Sequence, residues 1–67
     1  MNAEDREVLV EVTKTFLSER LHKGHNHCTR KCLFHARQGN ISYLKNNLKK
    51  LGIDPKRLDA ILPLLSS

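Results

Sequence analysis

All four histidines and both cysteines of the chain fall within one fourteen-residue stretch, "HKGHNHCTRKCLFH", running from His22 to His35. Thiolate and imidazole are preferred zinc ligands, and structural zinc takes four of them in a tetrahedron. Cys28, Cys32 and His35 are spaced by four and then three positions, so on a helix they return to nearly one face over about two turns. A single straight helix cannot surround an ion, and the fourth ligand then comes from the loop before it, where His25 is best placed. His27 adjoins Cys28 and points elsewhere if that residue binds. His22 falls opposite the apolar stripe of the preceding segment. The expected zinc set is therefore Cys28, Cys32, His35 and His25.

Other readings of the same residues stay open. Cys32 sits beside Leu33 and Ala36 on the side expected to face inward, and a thiol there is commonly a small buried hydrophobe. Histidines of a basic loop are often only solvated. A Cys28–Cys32 disulfide within one helical turn would be strained and would lock little, although the cluster could still act as a metal or redox sensor. A Cys–His nucleophile would also need an orienting group, an oxyanion site and a pocket. Sixty-seven residues with three glycines leave little for a pocket. A non-enzymatic module is expected.

The elements that must position these side chains read as helices. Leu9, Val12, Phe16 and Leu17 recur at helical spacing, early carboxylates suit a helix start, and Lys23-Gly24 suits an end. The first helix is expected over Ala3–Lys23. "GHNH" follows as a polar loop, and Thr29 is the expected cap of a second helix running to Gly39 with Leu33 and Ala36 inward. Asn40 offers a capping oxygen for a third, with Ile41, Leu44, Leu48 and Leu51 as its stripe and Gly52 as its stop. Asp54-Pro55 is a restart signal. Leu58, Ile61, Leu62 and Leu65 carry the last helix, which Pro63 bends or ends. The expected fold is all-α, one domain over residues 1–67, built as a small bundle of three to four short helices.

A chain this short buries little surface, and a single small core rarely yields more than roughly 3–5 kcal/mol. With no Trp, two Phe and one Tyr, large core side chains are scarce. A metal staple or a second copy would compensate. Two cysteines are too few for a disulfide scaffold. The early segment is acidic and carries no secretory pattern, and no stretch approaches the roughly 20 apolar residues that span a bilayer. A cytoplasmic protein is expected.

The charge is unevenly spread. Residues 1–19 carry Arg6 and Lys14 against Glu4, Asp5, Glu7, Glu11 and Glu19, a net −3, whereas residues 20–67 carry ten Lys or Arg against Asp54 and Asp59, a net +8. The basic part suits nucleic acid or an acidic protein, or is simply a solvated surface. Arg30, Lys31 and Arg37 on the second helix and Lys45, Lys49 and Lys50 on the third are the expected phosphate contacts, with Gln38, Asn46 and Asn47 as hydrogen-bonding neighbours. Aromatic interleaving for single-strand stacking is absent, since only Phe34 and Tyr43 lie nearby.

"LKKLGIDPKRLDAIL" is similar to the closing helices of many small repressor-like domains. "ARQG…LKKLGID" resembles the second half of an ankyrin repeat, without the T-P-L-H signature or a second repeat. Neither resemblance covers enough of the chain to name a family. The leading expectation is a regulatory module that contacts nucleic acid through helices two and three and holds zinc as a staple. The alternative is an adaptor docking an acidic protein through the basic face and the tail "ILPLL". Ile61, Leu62, Leu64 and Leu65 are the expected docking residues there, either packed on the first helix or exposed as an edge. Apolar positions in excess of one stripe per helix, among them Val8, Val10 and Leu64, point to a homodimer through the first and last helices.

Overall fold

In the computed structural model, residues 1–19 and 27–65 are described, the Cys28 side chain excepted. Among them are four α-helices and no strand: α1 (Ala3–Ser18), α2 (His27–Gln38), α3 (Ile41–Lys50) and α4 (Lys56–Asp59), followed by a 3₁₀ turn at Leu62–Leu64. The all-α bundle expected from the apolar spacing is the observed architecture. α2 is central, packing on α1 to one side and on α3 to the other.

α1 begins where Asn2 Oδ1 accepts the Asp5 N–H at 2.8 Å, satisfying one of the donors a helix leaves unpaired in its first turn. It ends earlier than the expected Lys23. The Glu19 N–H turns back to the Phe16 carbonyl at 3.3 Å, which tightens the last turn. The Glu19 carboxylate also receives both guanidinium arms of Arg57, at 2.7 and 2.9 Å. That carboxylate raises the Arg57 pKa above its ordinary value. The same guanidinium lies 4.4 Å from the Phe16 ring centroid, so one residue of α4 clamps the end of α1.

Thr29, the expected cap of the second helix, is instead a buried residue inside α2. Its end is a Schellman closure. The Gly39 N–H reaches the Ala36 carbonyl, the Asn40 N–H reaches the His35 carbonyl, and Gly39 takes φ +73°. α3 closes the same way: Gly52 N–H to Lys49, Ile53 N–H to Leu48, with Gly52 at φ +80°. The expected side-chain cap at Asn40 does not form, because its amide is turned toward His35. The last helix is shorter than its apolar pattern suggests. Asp54 Oδ1 accepts the Lys56 N–H at 2.9 Å, as a start signal should. Pro63, which has no N–H to continue the α pattern, lies in the 3₁₀ turn that follows.

The core gathers Leu9, Phe16 and Leu17 of α1, Cys32 and Ala36 of α2, Leu44 and Leu48 of α3, then Ile53 and Leu58. Val10, Val12, Leu33, Ile41, Leu51, Ile61 and Leu62 pack against it half-buried. The buried hydroxyl of Thr13 is satisfied by donating to the Leu9 carbonyl at 2.7 Å. Val10, expected among the surplus apolar residues, thus belongs to the core margin. Val8 and Leu64 remain on the surface.

Candidate functional site

α2 and α3 together contain six Lys or Arg and no Asp or Glu. The turn at Gly39–Asn40 folds them back on each other as an antiparallel hairpin. Arg30, Lys31, Arg37, Lys49 and Lys50 are exposed, and among the described residues none has a carboxylate within ion-pair distance. Lys45 differs. It is half-buried and ion-paired with Asp59 of α4, so its charge is already answered within the chain.

Helical geometry divides these cations among three directions. Arg30 and Arg37 share the outer stripe of α2, and Arg37 borders the same groove as Glu7 and Glu11 of α1. Lys45 and Lys49 lie on the side of α3 that Asp59 marks as facing α4. Lys31 and Lys50 occupy the remaining face, where α2 and α3 meet in the open. Of the expected amide contacts there, Gln38 and Asn46 are exposed, but Asn47 is buried and its Nδ2 donates to the Tyr43 carbonyl at 2.9 Å.

That face also carries three rings. The His35 and Tyr43 rings stack with centroids 5.2 Å apart and planes 19° from parallel. Phe34 meets His35 edge-on, with centroids 5.4 Å apart at 73°. Asn40 Nδ2 sits 3.5 Å from His35 Nδ1. Phe34 is 55% and Tyr43 61% exposed. Nine positions separate these two rings in sequence, and the hairpin brings them to either side of His35.

Of the expected zinc set, His25 and the Cys28 side chain lie outside the described residues, as does His22. His35 is engaged with Tyr43 and Asn40 as above. Cys32 is fully buried among the core aliphatics, and among the described residues no three His, Cys, Asp or Glu side chains gather as a metal group would require. Packing gives Cys32 a role that the bulk of its side chain fulfils. Cys32→Ser, which places a hydroxyl in that core, is expected to cost about 1–3 kcal/mol, and Cys32→Ala about 1 kcal/mol. Urea denaturation with chelator and with one equivalent of zinc checks this. Stability gained from zinc, and lost equally in both variants, would instead place Cys32 in a ligand set.

The expected docking residues of the tail divide as well. Ile61 and Leu62 pack against the core, Leu65 is half-buried, and Leu64 projects at 80% exposure. Val8 and Val12 of α1 line one open groove with Ile61, Leu64 and Leu65, rimmed by Glu4 and Asp5. No described helix is long and apolar enough to cross a membrane. No family model matches the chain, and no curated protein or solved structure is significantly similar to it.

Proposed function

We propose that the protein is a small non-enzymatic module that binds nucleic acid through the α2–α3 hairpin. One observation carries the reading: a two-helix surface with six cations and no carboxylate, five of those cations exposed and unanswered by any described acidic group. Elsewhere among the described residues, Lys14 pairs with Glu11 and Arg57 with Glu19, while Arg6 and Lys56 stand apart without such a carboxylate. Positive charge left unneutralised on a rigid pair of helices attracts a polyanion and releases its condensed counterions, which is the main source of sequence-independent binding.

Titration of a labelled 15-base-pair duplex at increasing salt tests it. Because the five exposed cations face more than one direction, they set an upper limit of five phosphate contacts. The slope of log K against log salt is then no steeper than about −4.5, with dissociation constants of roughly 10⁻⁴–10⁻⁶ M at physiological salt. No binding at about 0.1 mM protein in low salt would remove the reading.

A second reading concerns assembly, and the groove between α1 and the C-terminal turn favours it. Leu64 projects beside a groove lined by Val8, Val12, Ile61 and Leu65. A knob next to its own hole is self-complementary, so two copies related by a two-fold axis can exchange them. Glu4 borders the groove, which turns the acidic first helix rather than the basic hairpin toward the partner. Light scattering at ~50 μM, where a micromolar dimer is mostly assembled, is expected to report twice the chain mass, and Leu64→Lys to return a monomer. A wild-type monomer at that concentration would end the dimer.

A further inference from the structure

The chain has three large aromatic rings, two Phe and one Tyr, and its core is short of large side chains. Only Phe16 is buried, at 5% exposure, while Phe34 and Tyr43 stand together in solvent on one face of the hairpin. Packing inward would stabilise so small a domain, so two adjacent exposed rings are an expensive use of the scarcest residues. The rings are also held in place. His35 stacks on Tyr43 and meets Phe34 edge-on, and Asn40 reaches His35.

The surroundings of the rings have a definite order. Lys31, Phe34, His35 and Gln38 follow at i, i+3, i+4 and i+7 along one flank of α2, and Tyr43, Asn46, Asn47 and Lys50 follow the same spacing on α3. Because the helices run antiparallel from the Gly39 turn, both lysines lie at the end away from it and the rings lie nearer to it. From the helical rise, Lys31 stands about 6 Å along the axis from His35, and Lys50 about 10 Å from Tyr43. Exposed amides flank the rings, Gln38 on the turn side of His35 and Asn46 between Tyr43 and Lys50. Flat rings beside cations suit a ligand that offers flat faces and negative charge together.

We propose that the Phe34–His35–Tyr43 face is a stacking platform for single-stranded nucleic acid, with Lys31 and Lys50 taking its phosphates. This rests on the hairpin being the nucleic-acid surface and names the form of nucleic acid it prefers. Bases of a duplex are stacked on one another and have no face to give, whereas unpaired bases stack on aromatic side chains with little regard to sequence. The edge-on Phe34 and the stacked Tyr43 present rings at two orientations, which a flexible single strand accommodates and a stiff duplex does not.

Comparing a 15-nucleotide polythymidine with a duplex of equal length tests the proposal. The single strand is expected to bind more tightly. Phe34→Ala and Tyr43→Ala are each expected to lower its affinity about five- to one-hundred-fold while leaving duplex affinity unchanged. Tyr43→Phe and Phe34→Tyr should bind as the parent does, which separates loss of a ring from loss of the fold. With one Tyr and no Trp in the chain, the intrinsic fluorescence reports Tyr43 alone, and base stacking should quench it on adding polythymidine. Equal affinity for both probes, with alanine variants that remain folded and bind undiminished, would overturn the platform and leave duplex binding by the hairpin standing. Failure of both probes to bind at about 0.1 mM would remove the platform and the hairpin surface together.

Discussion

Combining Arg30→Gln, Lys31→Gln and Lys50→Gln is expected to weaken duplex binding by up to about a thousandfold at 50 mM salt and to flatten the log–log salt slope by up to about 2.7. Each of the three is exposed, and among the described residues none has a carboxylate within ion-pair distance. Neutralising them therefore removes phosphate contacts without breaking an internal pair, and stability should stay within about 0.5 kcal/mol. Lys45→Gln is the contrast. Its ammonium is already paired with Asp59, so the slope should barely change. If Lys45→Gln matched the triple variant, the Asp59 pair would not be holding that charge in solution.

Leu44→Ala is expected to cost about 2–5 kcal/mol, close to the whole stability of a domain this small. Leu44 is completely buried between elements drawn from the entire chain, with Leu9, Leu48, Cys32 and Leu58 in the same cluster. Truncation leaves a cavity that short, mutually clamped helices cannot close. The variant should be largely unfolded at 37 °C by circular dichroism, whereas Ser42→Ala on the exposed side of α3 should stay within about 0.5 kcal/mol of the parent. A folded, cooperative Leu44→Ala would mean that the core lies elsewhere than α1, α2 and α3 place it.

The helical architecture was legible because periodicity is a local signal. The stripes Leu9–Phe16–Leu17, Leu44–Leu48 and Leu58 lie in the observed core, and Gly52 stops α3 as expected. What local pattern misplaced were the boundaries that tertiary contacts decide. α1 ends at Ser18 rather than Lys23, with Glu19 drawn to Arg57, and Asn40 turns to His35 instead of capping α3.

The candidate site was legible in its charge but not in its shape. Six cations without an acid can be counted along the chain, yet their division into three directions depends on which side of each helix meets α1, α3 or α4. The ring cluster joins residues nine positions apart on two different helices, beyond the i, i+3 and i+4 spacings that place residues on one helix face. Matching i, i+3, i+4, i+7 stripes ending in Lys31 and Lys50 were the available signal. They escape a reading that looks for aromatics interleaved along the chain.

Locating the interface residue by residue is the most direct test of nucleic-acid binding by the hairpin. Amide chemical shifts of ¹⁵N-labelled protein, followed while nucleic acid is added at low salt, should move along the exposed stripes of α2 and α3, at Arg30, Lys31, Phe34 and Lys50. Amides beside the groove of Val8, Val12 and Leu64 should hold still. Shifts confined to that groove, or none at millimolar nucleic acid, would contradict the account.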